Sequence, residues 1–220
     1  MTTDKLLLVR NSEAGPESRA ARKERTRKAL IDGTLELLAD RSFASISLRE
    51  VARTADIVPT AFYRHFASLE ELGVVLVEES MRVLRQMLRE VRRTTTPQSA
   101  KESLDVLVRH VSAHEAQFRF FSRERYGGVP EIRRAIAAEM RVFSTELTID
   151  LSRVPMLAQW NSDDLEMTAD LIVSTMLSAV IGLLEADAPG ARSRDEVITQ
   201  AERQLRLILL GIGQWRQHPS

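Results

Sequence analysis

SLREVARTADIVPTAFYRHF, residues 47–66, is the stretch that decides the fold of this chain. Ser47 can cap a helix with Glu50 answering three residues later, and Leu48, Val51, Ala52 and Ala55 follow at i, i+3, i+4 and i+7 as one narrow apolar stripe. Arg49 and Arg53 fall outside it. The helix must stop near Asp56, which can enter the left-handed conformation of a sharp turn, and Pro59 cannot continue a preceding helix but suits a first helical turn. Phe62 and Phe66, spaced i, i+4, are expected to face inward, which leaves Thr60, Ala61, Tyr63, Arg64 and His65 on the outer surface.

Two short helices with a tight break between them read as a helix-turn-helix. Such a unit sets the start of its second helix against base edges in the major groove, while flanking hydroxyl, imidazole and guanidinium groups hold phosphates. Thr60, Ala61 and Arg64 are therefore assigned to bases, and Tyr63, His65, Ser47 and Arg49 to phosphates. The same pattern also suits a plain helical hairpin with a solvated polar face.

The longer run ISLREVARTADIVPTAFYRHFASLEEL, residues 46–72, resembles the DNA-binding segment of TetR-family transcriptional regulators, in which a tyrosine, a variable residue, a histidine and a phenylalanine end the recognition helix. Here these are Tyr63, Arg64, His65 and Phe66. RSFASISLREVA with PTAFYRHF, and later FSRERYGG, is similar to the fatty-acid branch of that family, the FabR and DesT regulators of unsaturated fatty acid synthesis. The chain departs from the family at the turn, where Asp56 replaces the usual glycine and tolerates positive φ less well.

Composition sets the frame. The chain has 220 residues, 44% hydrophobic and only 5% aromatic, with 9 Gly and 7 Pro, a mix that favours an all-α protein over a sandwich or barrel. It has no cysteine, so disulfides and thiolate metal sites are excluded. The segment LLLV at 6–9 is too short for a signal-peptide core, no run of 18 apolar residues offers a membrane span, and a cytoplasmic protein is expected. Formal net charge is zero but unevenly spread: +4 between Ser18 and Phe66, −4 between Val154 and Ser220. That asymmetry suits a DNA-facing end and a remote acidic end.

Three units are expected: a flexible N-terminal arm at 1–17, a three-helix helix-turn-helix domain at 18–67, and a helical bundle at 68–220 for ligand binding and dimerisation. A first helix should run from Ser18 to about Asp40 with Leu30, Thr34, Leu37 and Leu38 inward. Its basic opening, SRAARKERTRK, offers Arg22, with Arg19 and Arg27, for phosphates. Ser68 and Glu71 open a rod of about 24 residues, and Thr96-Pro97 marks the next start. Helices are then expected at 98–114, 116–125, 131–152, 165–184 and from Ser193 onward. The helix at 165–184 is apolar nearly all round and must be covered everywhere. With its successor it either centres a monomer or pairs with a second chain. Two-site reading of double-stranded operator DNA favours a homodimer through these last two helices, as the TetR resemblance implies.

No enzyme is indicated. His110 and His114 sit i, i+4 without a glutamate between them or a third ligand, so no metal is assigned, and Gly211 and Gly213 lack the rest of a dinucleotide motif. No cofactor is expected. The large rings of the C-terminal part, Phe118, Phe120, Phe121, Tyr126, Phe143 and Trp160 with Met140, suit either core packing or a small-molecule pocket. The candidate ligand residues are Phe118, Phe121, Arg125, Phe143, Leu177 and Ile181, with Arg123 or Arg125 able to hold an anionic head. The fatty-acid resemblance implies a long-chain acyl-CoA effector, with unsaturated chains favouring DNA binding. The reading is a ligand-responsive regulator, most simply a repressor of fatty acid or lipid genes. Two alternatives stand beside it: a sensor of drugs or other apolar compounds at an efflux gene, and an acyl-CoA binding protein without sequence-specific DNA binding.

Overall fold

The computed structural model describes residues 18–94, 100–186 and 188–215; the expected arm at 1–17 and the Thr96-Pro97 start lie outside them. Among the described residues the chain is all-α, with nine helices, two short 3-10 turns and no strand. It begins with α1 (Arg19–Leu37), whose cap Ser18 accepts the Ala21 N–H at 3.1 Å. The 3-10 turn Phe43–Ser45 leads to α2 (Leu48–Thr54). Its capping box is complete: Ser47 Oγ accepts the Glu50 N–H at 3.4 Å, and Glu50 Oε2 accepts the Ser47 N–H at 2.8 Å. α2 crosses α1 closely at Gly33, where an added Cβ would lie 2.2 Å from Thr54 Oγ1.

Asp56 takes the left-handed conformation (φ 52°), the only non-glycine among the described residues to do so, and Pro59 opens α3. α3 (Pro59–Phe62) is shorter than the spacing suggested. Beyond it Tyr63–His65 form a tight turn in which the His65 N–H donates to Phe62 O at 2.8 Å. An i, i+4 aromatic pair needs only one turn of this kind to bury both rings, so nothing extends the helix. Phe62 and Phe66 are both buried, 5.6 Å apart.

α4 (Leu69–Thr94) follows, 26 residues and about 39 Å at the usual rise. Its first turns bury Leu72 and Leu76 in the same core as Leu30, Phe43, Phe62 and Phe66, so packing is continuous across residues 67–68. The body is completed by α5 (Ala100–Ala113), α6 (Glu115–Glu124), α7 (Pro130–Ser152), the 3-10 turn Pro155–Leu157, α8 (Ser162–Glu185) and α9 (Arg194–Ile212). A second core gathers Leu104, Leu107, Val111, Val180, Leu183, Ala201 and Leu205 of α5, α8 and α9. α8 packs on both α7 and α9, and at Gly182 an added Cβ would stand 2.9 Å from Val197.

α8 corrects two expectations. It is long and apolar enough by length and composition to cross a membrane, which counting unbroken apolar runs overlooks because small polar residues interrupt it. Nor is it covered everywhere: Leu165, Ala169, Ala179, Val180 and Leu183 are buried, whereas Met167 and Leu171 stay exposed beside Leu207 and Leu210 of α9.

Candidate DNA-facing surface and ligand cavity

The helix-turn-helix presents Ser47 and Arg49 at the start of α2, and Thr60, Tyr63 and Arg64 around α3, all exposed; Ala61 is half-buried between them. Their backbone is held from below by the two phenylalanines and from the side by α1. The Arg27 guanidinium lies 4.4 Å over the Phe66 ring and donates from Nη1 to His65 O at 3.3 Å. Arg27 is thus engaged in packing rather than turned toward solvent.

His65 is a correction. Its side chain is half-buried rather than outward, and its Nδ1 is buried with no hydrogen-bond partner among the described residues. Desolvation, then the charges of Lys23, Arg27 and Arg64, lower its pKa below the usual value, so it stays neutral at neutral pH. The same aromatic turn that shortens α3 swings the imidazole against α1. There it borders a groove in which Arg19, Arg22 and Lys23 of α1 face Arg64, a concentration of positive charge suited to a phosphate backbone. Lys23 had no signal of its own in the sequence beyond membership of a basic run.

In the body, α4 to α9 together enclose an apolar cavity of about 210 Å³. Phe118, Phe121, Phe143 and Leu177 line it, joined by Met87 of α4, Leu107 of α5, Met140 of α7, Met176 of α8 and Leu209 of α9. These five belong to apolar helix stripes that read only as core. Ser103 is the single polar side chain of the lining, which carries no charge.

Arg125 and Ile181 lie elsewhere. Arg125 stacks 5.4 Å over the exposed Tyr126 ring. Ile181 follows the cavity residue Val180 but is turned by about 100° on the helix, toward a crevice against α9. Arg123 also has another task, bridging to the helix-turn-helix. Its guanidinium donates to the carbonyls of Leu38 (2.9 Å), Ala39 (3.2 Å) and Arg41 (2.5 Å). Beside it Glu124, almost fully buried, accepts the Phe43 N–H through Oε1 at 2.8 Å. Arg41 in turn pairs with Glu50 at 2.8 Å and donates to Ser45 O. The end of α6 is thereby tied, through residues 38–45, to the cap of α2. A charged pair closing an apolar helix just before Gly127-Gly128 was the available signal for this contact.

His110 does not gather a metal site. Its Nε2 stands 2.8 Å from Glu90 Oε2 and its ring stacks on His114 at 6.1 Å, and no group of three candidate ligands exists among the described residues.

Residues 30–73 match the family described as bacterial regulatory proteins, tetR family. The whole fold is similar to a transcriptional regulator from Aquifex aeolicus VF5 (TM-score 0.62, 16% identity, covering 83% of this chain and 99% of that one). It is also similar to the transcriptional regulator FadR from Bacillus subtilis, solved in complex with stearoyl-CoA (TM-score 0.62, 16% identity, 84% and 98% covered). A third such structure is the fatty acid degradation regulator FadR from Bacillus halodurans (TM-score 0.65, 14% identity, 84% and 95% covered). With a tetR-family DNA-binding domain at 30–73 set in the all-helical fold of these regulators, the chain is a TetR-type transcriptional regulator.

Proposed function

We propose that this chain is a homodimeric repressor of fatty acid or lipid metabolism genes, acting in the cytoplasm, that answers to long-chain acyl-CoA. The observation that carries the reading is the cavity: an uncharged chamber of about 210 Å³ lined by aliphatic, aromatic and methionine side chains, with one hydroxyl. Such a lining stabilises a hydrocarbon tail and penalises a charged group left unpaired in it. The stearoyl-CoA complex of the similarly folded FadR gives the chemistry a precedent in that protein. The exposed apolar face of α8 and α9 supplies the dimer surface, and two helix-turn-helix units then read two half-sites one helical turn apart.

The same lining favours one second reading, a sensor of small neutral apolar compounds, over a sensor of cationic drugs. Selecting the DNA bound from genomic fragments, then titrating that DNA by fluorescence anisotropy with stearoyl-CoA, oleoyl-CoA, free oleate and ethidium, tests both. Lipid-gene promoters with a response to the thioesters support the proposal. Efflux promoters, or a response to ethidium alone, overturn it, and no sequence-selective binding at low salt leaves an acyl-CoA binding protein.

A further inference from the structure

The cavity is too small for the tail just assigned to it. An apolar cavity of about 150 Å³ accommodates one benzene ring, so about 210 Å³ holds about eight carbons. A palmitoyl or stearoyl chain is about twice as long, so it enters only if the wall gives way. Three parts of that wall are methionines on different helices: Met87 on α4, Met140 on α7 and Met176 on α8. Methionine is the side chain best able to change shape under such a load.

Two of the lining helices also hold the DNA-binding unit. α4 brings Leu84 and Met87 to the cavity, while its first turns bury Leu72 and Leu76 beneath the helix-turn-helix. α6 brings Phe118 and Phe121 to the cavity, and within three residues of Phe121 its Arg123 and Glu124 bind residues 38–43. The floor of the chamber and the anchor of the DNA-reading unit therefore lie on one ten-residue helix. Close-packed interiors answer an oversized guest by switching arrangement rather than by stretching evenly.

We propose that the site measures chain length: acyl chains of up to about eight carbons bind silently, and longer ones displace α4 and α6 and so reposition the helix-turn-helix. A ligand shifts an equilibrium only by binding its two states unequally. A short chain fits the resting chamber as well as the enlarged one, so it occupies without signalling. A long chain fits only the enlarged one. The inference rests on the cavity being the effector site, and adds to that reading a threshold.

The experiment uses saturated acyl-CoA esters from butyryl to stearoyl on the full chain, reading binding by calorimetry and motion by deuterium exchange of residues 38–50. Octanoyl-CoA is expected to bind and leave that exchange unchanged. Palmitoyl-CoA is expected to bind and change it by at least about fivefold, and excess octanoyl-CoA should reverse the change by competition. Leu177→Ala removes three carbons from the wall, so its threshold should rise by about three carbons; Met176→Ala, a separate enlargement, should move it the same way and stands in if the first variant folds poorly. A change that begins with the shortest bound chain, a threshold unmoved in both variants, or no acyl-CoA binding at all overturns the inference. Because no DNA enters the measurement, a threshold without a lipid-gene operator would sink only the proposed function, and the operator without the threshold only this inference.

Discussion

Glu124 shows how much one side chain carries in this molecule. Its Oε1 satisfies a backbone N–H, that of Phe43, which follows a turn and has no helical partner, and its other oxygen is buried beside Gly127. Removing the carboxylate leaves a buried donor unpaired, so Glu124→Ala should cost about 1–3 kcal/mol, seen as a lower urea midpoint at constant slope. Gly127→Ala should act through the same group, since its Cβ would fall 2.1 Å from Glu124 Oε2 and force the carboxylate off Phe43. At the DNA surface the residue scale separates two roles. Arg64, exposed beside α3, is assigned to bases, so Arg64→Ala should change which sequences are preferred, by about 1–3 kcal/mol at a good contact. Arg49→Ala and Tyr63→Phe should instead weaken all sequences alike, and Arg49→Ala should lower the salt slope. Anisotropy on a panel of single-base operator variants distinguishes these, and uniform scaling by Arg64→Ala would refute its assignment.

At the scale of elements, the caps were the most legible part of the chain. Ser47 with Glu50 and Ser193 with Glu196 both form complete boxes, because an N-cap is a local matter of one hydroxyl and one carboxylate three residues apart. Asp56 and Pro59 were legible for the same reason. The end of α3 was not: Phe62 and Phe66 bury equally well from a helix or from a turn, and the sequence pattern is identical. Nor was the outward role given to His65, which depends on α1 lying beside it. Glu50 does more than cap, since hydrogen bonds from Arg41, first, and from Ser47 lower its pKa from 4.5 to about 2. A depressed carboxylate contributes stability that is complete above its unfolded value and lost as pH falls through the folded one. The helix-turn-helix should therefore loosen between about pH 4.5 and 2, and Glu50→Gln should lose that acid sensitivity while being weaker at neutral pH. Amide exchange of α2 across this range checks it; equal acid response in both proteins would exclude Glu50 as the cause.

For the whole molecule, what sequence could not give is what lies between elements. Apolar stripes on α4, α5 and α9 look alike whether they meet a neighbour, a void or a second chain, so the cavity was only half found. Arg123, read alone as an anion anchor, proves to be a bridge once residues 38–41 are seen beside it. The outer faces of α8 and α9 pose the same question. Leu207 is 72% and Leu210 63% exposed, with Met167 and Leu171 beyond them on α8. Contiguous apolar surface of this kind is rare on a monomer and marks an interface. In the proposed dimer these side chains are covered, and a C2 axis makes each substitution count twice. Leu207→Glu with Leu210→Glu would then set like charges together in a desolvated seam, while in an isolated chain it only replaces exposed leucines with better solvated groups. Sedimentation equilibrium should show the variant as a monomer with unchanged helical circular dichroism. Operator affinity should fall by about 10²- to 10⁴-fold, because the second half-site loses its effective concentration, whereas binding of an acyl-CoA in the cavity, which lies within one protomer, should persist. A variant that remains dimeric, or a monomer that keeps full operator affinity, would place the contact between protomers somewhere other than α8 and α9.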